Sequence, residues 1–185
     1  MTNITFISGT PCTGKTTIAE ALSSKLNIKL IKINDFAIDN ELILGIDNKK
    51  GYKIIDVEKL DALLLKTLEK HDSIIVEGHL SHLCSGADKL IILRCNPEIL
   101  EKRLTERNYS KSKIFENLEA EAMGVCTAEA LEKYFDEIHE IDVSDLTTDE
   151  CVLKITNIIN NNEKLNFGEI NFMDWILTRH QTHKL

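Results

Sequence analysis

Two spacings of apolar positions alternate along the chain. Residues 4–8 form a short apolar run that stops at Gly9, and from Lys15 onward Ile18, Ala19, Leu22 and Leu26 recur three and four apart. The run predicts a buried strand and the recurrence predicts one face of a helix, with a glycine-bounded loop between them. Further runs at 28–33, 73–76, 90–93 and, more weakly, 138–143 are too short for buried helices and predict strands. Helix signals stand between them. Asp56 is placed to cap a helix reaching about Lys70, with Val57, Leu60, Leu63, Leu64 and Leu68 inward. Pro97 after Asn96 opens a helix through Arg107, and Thr147 with Glu150 forms a capping box ahead of Val152, Ile155, Ile158 and Ile159.

Strand and helix therefore alternate, the pattern of parallel strands joined by right-handed helical crossovers, and the expected fold is a three-layer α/β domain. The asparagines at 160–162 mark the expected end of this domain, which spans 1–163. The tail at 164–185 carries Phe167, Phe172, Trp175, Ile176 and Leu177, and so much apolar surface is expected to dock on its own domain, with contact to a partner or a second copy as the alternative.

Composition narrows the class. A chain of 185 residues that is 43% hydrophobic and 28% charged can build one full core, burying about 70% of its unfolded surface. Its net charge of −8 gives no basic field for neutralising phosphates along a nucleic acid, so a basic protein partner suits it better than naked RNA. Five cysteines at 12, 84, 95, 126 and 151 include no C-x-x-C pair and read as reduced thiols of a cytosolic protein. The opening residues lack a charged segment followed by an apolar one, and no apolar run approaches 18 residues, which argues against secretion and against a membrane span.

The loop after the first strand carries the chemistry. GTPCTGKTT at 9–17 contains G-x-x-x-x-G-K-T, with Gly9, Gly14, Lys15 and Thr16 in the required places. Glycines let the backbone curl so that successive N–H groups face a phosphate chain, and the following helix adds its positive end. Lys15 is expected on the β and γ phosphates, the Thr16 hydroxyl on Mg2+, and Cys12, Thr13 and Thr17 along the triphosphate. The expected ligand is ATP with Mg2+. A guanine-reading N-K-x-D is missing, since the nearest string, Asn48-Lys49-Lys50-Gly51, lacks the aspartate. A small kinase or a small switch ATPase remains.

Glu77 follows the strand at 73–76, on the sheet edge where ligands bind, and can join the Mg2+ shell or orient an attacking water. His79 is a candidate for a nucleotide or catalytic role, with His82 ranked below it as an ordinary structural histidine. Only four arginines stand among 22 cationic residues, and Arg94, Arg103 and Arg107 fall within 14 positions. Guanidinium grips phosphate oxygens in two-pronged fashion, so Arg107 is expected on phosphate and Arg94 and Arg103 on the acceptor, with surface pairing to Glu101 or Glu106 as the alternative. Asn34 and Asp35 close the second strand and are candidates for the acceptor nucleotide, with Phe36 or Tyr52 stacking on its base; capping would explain Asn34 equally well.

GTPCTGKTT, DVEKLDALL at 56–64, VEGHLSHL at 76–83, LRCNPEILEKRLTERNY at 93–109 and KIFENLEAEAMGV at 113–125 together resemble the small adenylate kinases of the isoenzyme 6 type. These are nuclear and archaeal nucleoside monophosphate (NMP) kinases tied to maturation of the small ribosomal subunit. The resemblance runs from about residue 3 to 160. It implies a P-loop kinase core with five parallel strands, an NMP-binding segment near 30–53 and a short lid near 106–116 that puts Arg107 on ATP. It maps the family's D-x-H motif onto Glu77 and His79. It also implies ATPase beside kinase activity, preference for AMP, a basic small-subunit ribosomal protein as partner, and a nuclear or, in an archaeal-type cell, cytoplasmic location.

Three positions depart from that pattern. Cys12 replaces a glycine, which is tolerable if its φ is negative or its β-carbon clears the phosphates. Asn108 replaces the lid glycine, and asparagine accepts left-handed geometry. Glu77 is one methylene longer than aspartate. The residues alone leave an assembly-factor ATPase and a small-metabolite kinase as rivals of an NMP kinase.

Overall fold

In the computed structural model, residues 3–47, 52–161 and 163–182 are described. Along them run β1 (Asn3–Gly9), α1 (Lys15–Leu26), β2 (Lys29–Lys32), α2 (Ile33–Asp39), β3 (Ile43–Ile46), β4 (Lys53–Ile55), α3 (Val57–Leu68), β5 (Ser73–Glu77), a 3-10 turn (Ser81–Leu83) and β6 (Lys89–Arg94). There follow α4 (Pro97–Glu106), α5 (Lys111–Ala122), α6 (Val125–Ala130), β7 (Ile138–Asp142), α7 (Thr148–Ile159) and α8 (Met173–Thr182). Five strands make one parallel sheet in the order β2-β5-β1-β6-β7, and β3 and β4 pair antiparallel as a separate ribbon. The fold is the three-layer α/β P-loop type that the alternation predicts.

Side chains alternate across a strand, so each central strand feeds two cores. Ile4 and Phe6, Ile74 and Val76, and Leu90 and Ile92 face α2, α3 and α6. Ile7, Ile75, and Ile91 with Leu93 face α1, α4 and α7. All but Ile4 of these lie at 1% exposure or less, and burying a side chain of this size contributes about 1.5–3 kcal/mol. Such strands, covered on both faces, are why the sequence reads as short continuous apolar runs.

The three helix starts read from sequence are present. Asp56 accepts from Lys59 N–H, Asn96 accepts from Glu98 N–H ahead of Pro97, and Thr147 and Glu150 bond reciprocally. At the fourth, Gly14 precedes α1 with no side-chain cap, leaving the first N–H groups of α1 turned toward the loop.

Residues 28–33 divide differently from expectation. The strand ends at Lys32, and Ile33 opens α2, so Asn34, Asp35 and Phe36 sit on a helix rather than at a strand end. A seven-residue helix is unstable alone; α2 persists because Ile33 and Ala37 are fully buried and Phe36 packs on the same core. Asn34 does not cap it, because the capping position falls on Lys32. The string at 48–51 lies outside the described residues.

From Glu163 onward the chain lies against the domain. Phe167 packs on one core and Leu165 and Trp175 on the other, Gly168 N–H donates to Glu140 at 2.6 Å, and Arg179 pairs with Glu101 on α4 at 3.2 Å. No helix among the described residues is long and apolar enough to cross a membrane.

Candidate active site

The phosphate loop leaves β1 between β5 and β6, at the carboxyl edge of the sheet. Gly9 has φ +139°, and a β-carbon there would stand 2.4 Å from the Leu93 carbonyl oxygen, so the position excludes every side chain. The Gly9 and Thr10 carbonyls each accept from Lys15 Nζ at 2.9 Å, and the Thr10 carbonyl also accepts from Thr13 Oγ1 at 2.9 Å. Lys15 is thus folded onto its own loop and 9% exposed. Burial pulls its pKa down, against the raising effect of neighbours that include Glu77 and Glu121.

Thr16 and Glu77 meet at the loop's mouth. The Thr16 hydroxyl stands 3.3 Å from both carboxylate oxygens of Glu77, which ends β5 and is 6% exposed. Burial raises the Glu77 pKa, with Lys15 and the Thr16 hydroxyl acting against it. An alcohol and a carboxylate are the hard oxygen donors that Mg2+ takes. Among the described residues no group of three or more His, Cys, Asp or Glu forms a metal cage, so an ion held here would complete its shell with phosphate oxygens and water.

Arg107 follows α4 at the turn into α5, where Asn108 adopts φ 57°, the left-handed geometry that asparagine tolerates. Arg107, Arg103 and Thr17 line one groove with Val143 and Cys151, on the β7 side of the loop. Arg103, expected on the acceptor, lines this same groove beside Arg107, and its Nη2 donates to the Val143 carbonyl at 3.5 Å. The expectation for Arg94 meets a different geometry. Arg94 is 3% exposed, donates to Glu121 at 2.9 Å and Glu140 at 2.7 Å, and lies 5.5 Å from the Phe172 ring centroid, which commits its guanidinium to the interior.

Cys12 has φ 68°, so the negative-φ condition is not met; its side chain instead joins the groove lined by Arg103 and Arg107 and packs on the adjacent core. Asn34 and Asp35 are exposed on α2, whereas Phe36 packs against the core. Tyr52 lies 4.1 Å from Lys113 Nζ, measured to its ring centroid, which covers one face of the ring. His79 is exposed and its Nδ1–H donates to the Gly9 carbonyl at 3.2 Å, while partial desolvation and then Lys15 depress its pKa. His82 is buried between Ser8 Oγ at 2.7 Å and Glu129 at 2.8 Å, a structural place.

Sequence reasoning missed Thr10 and Glu121. Glu121 is 2% exposed and accepts from the Thr10 hydroxyl. The available signal was an acid on the buried stripe of α5, beside Leu118 and Ala122.

A protein-family model described as an AAA domain matches residues 5–124. The chain is 39% identical over 171 residues to a "putative adenylate kinase" of Methanothermobacter thermautotrophicus, covering 92% of this chain and 98% of that protein. A protein of the same name from Pyrococcus furiosus is 39% identical over 170 residues, covering 91% and 89%, and one from Archaeoglobus fulgidus is 41% identical over 153 residues, covering 83% and 80%. The shikimate kinase of Acinetobacter baumannii, solved with shikimate, superposes with a TM-score of 0.63 at 13% identity over 88% of this chain and 96% of that one. That of Aquifex aeolicus gives 0.54 at 20% identity over 86% and 97%. At such identities the likeness shows the fold alone. The family model spans more than half of the chain and the archaeal identities extend over nearly whole proteins, so the chain belongs to the AAA domain family and to the family of these archaeal putative adenylate kinases.

Proposed function

We propose that the protein is an NMP kinase of the adenylate kinase type, moving the terminal phosphoryl group of ATP to AMP in preference to other NMPs. One observation carries this reading. A single phosphate loop is flanked by two appendages on opposite sides, the Arg107 turn toward β7 and the segment of α2, β3 and β4 following β2. ATP then lies in the Arg107 groove and the acceptor enters from the other side, in line with the γ-phosphate. The archaeal relatives' printed name supports the same chemistry.

Phosphoryl transfer demands positioning and charge neutralisation and little covalent work. Lys15 exchanges the Gly9 and Thr10 carbonyls for β and γ oxygens, and the α1 N–H groups close on the phosphates. Thr16 and Glu77 would hold Mg2+, which supplies neutralisation of the phosphate oxygens. Arg107 closes from the lid over the transferring group, excluding water. His79, neutral near pH 7, presents its free ring nitrogen beside the loop.

The same reading includes ATP hydrolysis and a part in small-subunit maturation beside a basic ribosomal protein; the net charge of −8 supports such a partner. One observation favours the rival, an assembly ATPase with incidental kinase turnover. None of the four arginines stands on the acceptor side: Arg94 is locked inside, Arg103 and Arg107 face the donor, and Arg179 pairs with Glu101. Product analysis separates the two. Protein, Mg2+ and ATP are mixed with AMP, CMP, GMP, UMP or none, and ADP is resolved from free phosphate. The kinase gives ADP without matching phosphate only when an acceptor is present, and Lys15→Met loses it while keeping its thermal midpoint. ADP matched by phosphate and indifferent to NMP refutes the kinase reading.

A further inference from the structure

We infer that Glu121 is a positioning residue for the phosphate loop, acting through Thr10 and tying the loop to the helix that carries the lid. The inference rests on the phosphate-transfer reading of the loop and adds a residue to it.

Three observations converge on this carboxylate. Its Oε2 accepts from the Thr10 hydroxyl. Its Oε1 accepts from Cys95 N–H and from Arg94 Nε, both at 2.9 Å, and its backbone carbonyl accepts from Arg94 Nη2 at 2.7 Å. Thr10 in turn presents the carbonyl that Lys15 Nζ and Thr13 Oγ1 share. Fixing the Thr10 side chain therefore fixes the peptide from which Lys15 departs when phosphate arrives.

Glu121 also sits at one end of a rod. The helix α5 begins at Lys111, capped by Ser110 directly after the Arg107 turn, and Glu121 is in its last turn. Twelve helical residues span about 18 Å, so the lid is at one end of α5 and the phosphate loop is pinned to the other. A lid that closes by tilting α5 pivots at Glu121, and the pivot is rigid because Arg94 is held on its far side by Glu140, which also accepts from Thr127 and Gly168 N–H.

A carboxylate is required. Three donors reach its two oxygens at once; a glutamine meets Thr10 only by reversing the bond, its amide N–H₂ donating to the hydroxyl, and carries no charge for Arg94.

The test reads ADP formation, which an NMP kinase and an ATPase both give, for wild type, Thr10→Val, Thr10→Ser, Glu121→Gln and the double variant Thr10→Val/Glu121→Gln. Thermal midpoints are measured alongside. Thr10→Val removes only the hydroxyl donor and is expected to lower kcat about tenfold, with the acceptor KM changed less than twofold. Thr10→Ser, which keeps the donor, recovers most of that loss. In the Glu121→Gln background the valine substitution adds less, because the charge-assisted bond is already replaced by a weaker neutral one. A Thr10→Val enzyme with wild-type kcat overturns the inference, as does a tenfold loss that persists undiminished in the Glu121→Gln background. If Glu121→Gln does not fold, the valine and serine variants decide alone, by whether serine recovers the rate. Lys15→Met separates the two levels: active, it sinks the phosphate-loop reading itself; dead, beside an unaffected Thr10→Val, it sinks only the role of Glu121.

Discussion

At Arg94 the guanidinium lies between two buried carboxylates, whereas at Arg107 it lies exposed at a helix end, lining the groove proposed for ATP. The same residue type thus carries two different energetic burdens. Removing one partner of a buried ion cluster strands the remaining charges, and Arg94→Ala is expected to cost about 3–5 kcal/mol in chemical denaturation. Arg107→Ala is expected to leave stability within about 0.5 kcal/mol and to slow phosphoryl transfer by about three orders of magnitude, the scale of charge-stabilising arginines. The reverse pattern, a stable Arg94→Ala or an undiminished Arg107→Ala, would undo both assignments. Sequence could place these arginines on one stretch but not tell them apart, since the partners that immobilise Arg94 come from α5 and β7, 27 and 46 positions onward.

Among the elements, those with strong local signals are the ones that sequence located. The helix α7 begins with both halves of a capping box, Thr147 N–H and hydroxyl to Glu150 and Glu150 N–H back to Thr147. Thr147→Ala should cost about 1 kcal/mol and lower the thermal midpoint by about 2–4 °C; no measurable shift would mean that core packing alone defines this helix end. Elements without local signals were missed. The helix α2 and the β3–β4 ribbon are only seven, four and three residues long, and α6 has six, so tertiary packing decides them. This bears on the proposed function: the segment proposed for the acceptor is made of these short pieces, so Asn34, Asp35 and Phe36 could be given a region but not an orientation. The phosphate loop was legible throughout because its chemistry is carried by backbone geometry that its own residues enforce, as at Gly9.

Over the whole molecule, most of the ionisable thiols are buried on the two faces of the sheet, and that sets the pH range in which the fold is stable. Burial raises Cys84 and Cys126 to about 12 and Cys95 to about 11, from a usual value of 9.0, and raises Tyr134 to about 12. Above about pH 9 an unfolded chain releases protons that the native chain retains, so the native state binds more protons and stability falls as pH rises. The histidines act at the other end. Desolvation depresses His79, His82 and His139 below 6.5, so in acid the unfolded chain binds the additional protons and stability falls as pH drops below about 6.5. The thermal midpoint should therefore be nearly level between about pH 6.5 and 9, and decline on both sides. The alkaline arm is the sharper test, because Cys84, Cys95, Cys126 and Tyr134 act together, against the single opposing effect of Lys15, whose pKa burial lowers. A midpoint that stays level to pH 10.5 would mean that the thiols ionise in the native state, and that the cores flanking the sheet are open to water.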